Sequence, residues 1–136
     1  MDYLNNPRIG ALILRVALAA VLLSHSLYLK LFVFTLPGTA QFFSAIGLPG
    51  WLAYVVFIAE VVGGLAILFG MYTRQCALVM IPVLLGATWA HLPNGWLFTN
   101  ANGGWEYPLF LTFISASLAF TGSGESEQTT PSIAAG

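Results

Sequence analysis

The sequence predicts an all-α fold, a four-helix antiparallel transmembrane bundle with both termini cytoplasmic, on three observations. Of 136 residues, 58% are hydrophobic and 7% charged, whereas a soluble domain carries roughly 25% charged residues. Nine Asp, Glu, Lys and Arg side chains cannot build the charged shell that water demands, so the apolar surface has to face lipid. Residues 16–29, 31–59, 61–73, 75–105 and 107–124 contain no charge, and turn-forming Pro and Gly cut them into pieces near the ~20 residues that cross a bilayer. Finally, Arg8 and Arg74 flank ends that four antiparallel spans place on one side, which the positive-inside rule makes cytoplasmic.

The first span covers about 9–34 and ends before Leu36-Pro37-Gly38, a helix-breaking sequence that opens a loop. It is expected to be retained as a span: Ala17-Leu18-Ala19 resembles a small-residue cleavage site, but the apolar run continues past it to Phe34. The second, about 51–70, follows Gly47-Leu48-Pro49-Gly50 and stops at a C-terminal glycine. The third, about 73–92, ends at Pro93-Asn94-Gly95, and Pro82 inside it is expected to kink the helix. The fourth, about 105–120, follows Asn100-Ala101-Asn102-Gly103-Gly104 and is short for a span. Residues 1–122 thus form the membrane domain. Residues 123–136, rich in Gly, Ser, Glu, Gln and Thr, read as a disordered polar tail. Loops 35–50 and 93–104 fall on the outer side, with most of the tryptophans at the headgroup level.

Composition also excludes functions. A net charge of −1 without a basic cluster argues against nucleic acid as a partner. Cys76 is the only cysteine, so no intrachain disulfide, thiolate cage or redox dithiol can form.

Charge inside a span costs about 2.5 to 3.5 kcal/mol per residue at the bilayer centre and needs a reason. Glu60 lies about 13 Å into the second helix, near the midplane, with Gly63 and Gly64 one turn on to admit a neighbouring helix. Arg15 lies about 9 Å into the first. A buried Arg15–Glu60 pair, a protonated Glu60, or a proton-relay or ligand-binding role are the readings open to them. Nearer the outer face, His25 and Lys30 end the first helix, His91 ends the third, and Glu106 starts the fourth. These four form either a solvated rim or a polar pocket closed by the 93–104 loop, in which His25, His91 and Glu106 are candidate proton carriers. Lys30, Glu60, Arg15 and Trp105 are the candidate binding residues. A bis-histidine haem would need both rings facing one cavity. A metal site from His25, His91 and Glu106 would lack diagnostic spacing, so no metal is assigned.

Several motifs together resemble the DoxX family of small four-helix membrane proteins, from about Arg15 to Gly124. They are Ser24-His25-Ser26 with Leu29-Lys30-Leu31, Gly47-Leu48-Pro49, Glu60-Val61-Val62-Gly63-Gly64, Gly70-Met71-Tyr72-Thr73-Arg74, His91 with Asn94-Gly95-Trp96, and Gly103-Gly104-Trp105-Glu106-Tyr107-Pro108. The family pattern usually reads His-Gly-x-x-Lys. Here Ser26 replaces the glycine and Lys30 stands five residues after His25, which on an α-helix turns it about 100° away.

The resemblance implies an integral membrane protein among relatives tied to quinone-linked sulfur oxidation, terminal quinol oxidation or a membrane redox-stress complex. On it rests the expectation of a multi-pass plasma-membrane protein that serves as the membrane subunit of a redox system handling quinone or reactive sulfur and oxygen species. The outer pocket would hold a quinone head group, with His25 or His91 donating to a carbonyl and Glu106 exchanging the proton. Lipid, redox-complex subunits or further copies of the chain are the expected partners. A non-enzymatic scaffold for soluble redox partners is the competing class, and a small transporter a third.

Overall fold

The computed structural model describes residues 4–124; most of the predicted polar tail, from 125 on, lies outside the described residues. Among the described residues the chain is helical, without strands. Helix α1, Pro7–Leu23, starts where proline is tolerated, at the first helical position, and Asn6 caps it by accepting from the amides of Arg8 and Ile9. It runs directly into a ten-residue π-helix, Ser24–Val33.

The loop expected at 35–50 holds a helix of its own. Leu36-Pro37-Gly38 ends the first span and also starts α2, Leu36–Ala45, because a proline in the first turn gives up only an amide that has no intrahelical partner. Thr35 forms the corner at φ 63° and ψ 159°, a conformation that disfavours a β-branched residue. Its hydroxyl offsets part of that cost by accepting from the Gly38 amide at 3.1 Å.

Helix α3, Leu52–Phe69, ends in a Schellman motif: Gly70 takes a left-handed φ of 74°, and the amides of Met71 and Gly70 donate to Ala66 and Ile67. Helix α4, Thr73–His91, follows after three residues and continues through Pro82. A short 3-10 turn, Leu92–Asn94, leads into the outer loop, and α5 spans Glu106–Thr121.

Helix α1 packs on α3 and α5, and α4 joins α3 to α5. The core where they meet comprises Leu18, Ala19 and Leu22 of α1, Ile67 of α3, Ala77, Met80 and Leu84 of α4, and Leu111 and Leu118 of α5. The paired glycines serve two neighbours. A Cβ on Gly64 would lie 3.0 Å from Leu23 of α1, and one on Gly63 3.4 Å from Met80 of α4. Ser115 of α5 donates to the Ala77 carbonyl at 2.7 Å, a polar tie in the core.

Outward, Ile13, Ile58, Val62, Leu78, Val79, Phe110 and Phe113 are exposed. Helices apolar on both faces need an apolar surrounding. Three segments, Pro7–Val33, Leu52–Phe69 and Thr73–Asn94, are long and apolar enough to cross a membrane. Helix α5, with 16 residues, falls short of the ~20 that a perpendicular span requires.

Candidate functional site

Glu60 has an ion partner, and it is Lys30. Lys30 Nζ lies 2.7 Å from Glu60 Oε1, bridging the π-helix to α3, with side chains 18% and 6% exposed. The sequence reading considered Arg15 as the partner of Glu60 and placed Lys30 with the outer group. Arg15 is buried on α1. Two charges in an apolar medium are tolerated when each neutralises the other, so the pair locks the end of the first long helix to the middle of α3.

The π-helix explains how Lys30 reaches it. Where bonds close five residues apart, residue i+5 takes the place one turn on that i+4 holds in an α-helix. The five-residue step from His25 to Lys30 therefore does the work of a four-residue step, and the 100° displacement expected on an α-helix does not arise. Local chemistry supports the wider turn. Ser24 Oγ, His25 Nδ1 and Ser26 Oγ bond to the carbonyls of Ala20, Val21 and Leu22 at 2.7, 2.9 and 2.9 Å. Three successive side chains thus serve the carbonyls of the α-to-π junction, where the backbone register changes. Ser26, in the glycine position of the family pattern, is fully buried.

Both histidines are used in one way. His25 Nδ1 lies 2.9 Å from the Val21 carbonyl and His91 Nδ1 2.8 Å from that of Ala87. A carbonyl only accepts, so in each contact Nδ1 is the donor. His25 packs beside Tyr107, ring centroids 6.1 Å apart. His91 is covered by Gly103, where a Cβ would sit 3.6 Å from Cδ2 and 3.9 Å from Nε2.

The outer loop is tied by side-chain amides. Asn94 donates to the carbonyls of Asn102 and Gly103, and Asn100 donates to that of Asn94. Trp105 and Glu106 donate their amides to Gly95 and Trp96, both at 3.0 Å. Gly104 admits no side chain, because a Cβ there would meet the Leu97 carbonyl. Trp105 stands edge-on to Trp96 with centroids 4.4 Å apart, so this candidate binding residue anchors the loop. Glu106 accepts from the Phe98 amide at 3.0 Å and ties the outer loop to the start of α5.

Between that loop and α5 lies a groove of about 390 Å³ lined by Trp96, Phe98, Glu106, Tyr107, Leu109, Phe110 and Phe113. Of the predicted proton carriers only Glu106 lines it. The histidines lie apart, His25 at Tyr107 and His91 at Gly103. Tyr107, Phe110 and Phe113 escaped the sequence reading, although Glu106, Phe110 and Phe113 at i, i+4 and i+7 do fall on one helical face. A second groove of about 410 Å³, between α3 and α4, is aliphatic, with Gln75 and Cys76 at one end. Among the described residues, no three His, Cys, Asp or Glu side chains converge as a group that could hold a metal.

Residues 10–93 match the DoxX family model. The chain belongs to the DoxX family. It is 36% identical over 115 residues to the Bacillus subtilis (strain 168) protein named "Putative oxidoreductase CatD", covering 85% of this chain and 81% of the relative. A shorter stretch of 41 residues is 51% identical to "Inner membrane protein YqjF" of Escherichia coli (strain K12), covering 30% and 32% of the two chains. No solved structure matches. This DoxX-type membrane protein therefore contacts lipid, and the Lys30–Glu60 pair, His25 and His91 lie within its family-matched region.

Proposed function

We propose that the protein is a four-span bundle in a bacterial-type plasma membrane, with both termini cytoplasmic, and that it is the membrane subunit of a redox system handling quinone. The observation that carries this is the groove on α5: aromatic walls from Trp96, Phe98, Phe110 and Phe113, and a single carboxylate, Glu106, at its end. An aromatic ring with polar substituents fits walls of this kind, and its isoprenoid tail continues along exposed Phe110 and Phe113 into lipid. The name of the Bacillus subtilis relative points the same way. Helix α5 closes the bundle as the fourth span; at 1.5 Å per residue its 16 residues cover about 24 Å, and the aromatic loop extends it into the headgroup layer.

Solvent extraction of the purified protein, with chromatography of the extract, tests the proposal. Quinone should copurify with the parent chain. It should be reduced in Phe110→Ala, which opens a wall, and in Glu106→Gln, which keeps the size and removes the charge. If no quinone copurifies and added decylubiquinone binds neither the parent nor the variants, the proposal fails.

The competing reading is a scaffold whose polar residues serve assembly. Glu106 favours it to this extent: its carboxylate already holds the Phe98 amide. Cross-linking in native membranes, capturing a stoichiometric soluble partner that leaves the membrane when the chain is deleted, would favour the scaffold.

A further inference from the structure

We propose that the first turn of α4 is a phosphate site, filled by the headgroup of an anionic phospholipid or by free phosphate. Its donors are the amides of Thr73, Arg74 and Gln75, the Thr73 hydroxyl and the Arg74 guanidinium. The site lies at the far end of α5 from the aromatic groove, because Arg74 meets Phe120 near the close of that helix, and it does not depend on the quinone reading.

A helix N-terminus offers an anion free amides and the positive end of the dipole. In α4, 19 residues long, the Cys76 amide donates to the Tyr72 carbonyl, which leaves the three amides before it without an intrahelical partner. Among the described residues no side chain caps them. A second observation is independent of the helix end. Thr73 is 4% exposed, and its Oγ1 is buried without a hydrogen-bond partner. Cβ atoms on a helix tilt towards its N-terminus, so in the first turn this hydroxyl is directed to the end where the amides are free. A buried hydroxyl left unsatisfied is costly, and a phosphate oxygen would satisfy it. A positive charge is also in place. Arg74 is exposed, and its Nη1 donates to the Phe120 carbonyl at 3.0 Å, which holds the guanidinium between the start of α4 and the end of α5 with further N–H groups to spare. The ion pair among the described residues is Lys30–Glu60, so no described carboxylate occupies that cation. Tyr72, on the other side of Thr73, is exposed, which leaves the helix end open. Thr73–Asn94 is long and apolar enough to cross a membrane, and its first residue then falls at the headgroup level, where lipid phosphates lie.

The test uses the full-length protein in dodecyl maltoside and two lipids that differ in the phosphate, dioleoyl phosphatidylglycerol and dioleoylglycerol. By native mass spectrometry the first should bind at least about thirtyfold more tightly, as two or more hydrogen bonds to a charged group supply. Thr73→Val, which keeps size and charge but removes the hydroxyl, should cut that preference about tenfold, and Thr73→Ser should keep it within about twofold. In phosphate-free detergent Thr73→Val should melt no lower than the parent, because the hydroxyl has no partner to lose. A second arm compares sodium phosphate with sodium chloride at equal ionic strength. A rise of about 2 to 4 °C in the parent's melting temperature that Thr73→Val abolishes would make free phosphate a ligand, and a response to the lipid alone would make the headgroup the source. The proposal is overturned if neither the lipid phosphate nor inorganic phosphate is preferred, or if Thr73→Val keeps the preference. It is equally overturned if Thr73→Val melts lower without phosphate, since the hydroxyl would then have a partner within the protein.

Discussion

Replacing Lys30 by methionine removes the partner of a carboxylate that is 6% exposed and leaves a side chain of similar length. Breaking one half of a buried pair costs about 3 to 5 kcal/mol, because the remaining charge is left uncompensated. An isolated charge at the bilayer centre costs about 2.5 to 3.5 kcal/mol on the insertion scale. Lys30 is 18% exposed, which places the expected loss near 3 kcal/mol, the lower end of the first range. Glu60→Leu alone should cost a similar amount, moderated because Lys30 can move its ammonium towards the interface. In Lys30→Met/Glu60→Leu neither charge remains, and the double variant should recover most of the loss. A cycle measured by titrating dodecyl maltoside micelles with SDS, followed by tryptophan fluorescence, should therefore give a coupling of about 2 to 3 kcal/mol. Single losses below about 1 kcal/mol that add to the double within about 0.5 kcal/mol would refute the reasoning.

The glycines supply two further predictions. Gly64→Ala forces a methyl to 3.0 Å from Leu23 and should destabilise by about 1 to 3 kcal/mol, whereas Gly86→Ala, with nothing within 4 Å, should gain about 0.5 to 1 kcal/mol in the same titration. Equal effects at both sites would contradict the close approach of α1 and α3. Gly104→Ala places a Cβ on the Leu97 carbonyl, so the loop must open; chymotrypsin should then cut at Trp96, Leu97 or Phe98 much faster than in the parent, and an unchanged rate would show that the loop closes without it.

Much of the fold was legible because composition and turn residues act over whole segments. The helix ends at Phe69 and His91 lie within a residue of where Gly70 and Pro93 place them. The 35–50 segment was misread because Leu36-Pro37-Gly38 is both a stop and a start: proline forbids a helix that is continuing and favours one that is beginning. What separates the two is the cap, and Thr35 in that position was the overlooked signal. The groove was harder to foresee. Its walls come from the loop and from α5, and ordinary aromatic residues on a lipid-facing helix carry no mark that sets Phe110 and Phe113 apart. Glu106 was identified by its charge alone.

Depth along an ideal helix paired Glu60 with Arg15 and left Lys30 in the outer group. That estimate assumed one α-helical rise and one α-helical turn throughout. The chain departs from both at Ser24-His25-Ser26, where three adjacent donors reach carbonyls of the preceding turn. A run of donors at one point in an apolar helix is costly in lipid unless each finds an acceptor, and in a continuous helix the acceptors within reach are backbone carbonyls. The same residues that break the α register thus bring Lys30 to Glu60 and fix the proton of His25 on Nδ1. The extra residue between His25 and Lys30, which looked like a departure that separates them, is what the wider helix needs to keep them one turn apart. Spacing in a sequence carries meaning only together with the helix type that reads it, and here the side chains themselves set that type.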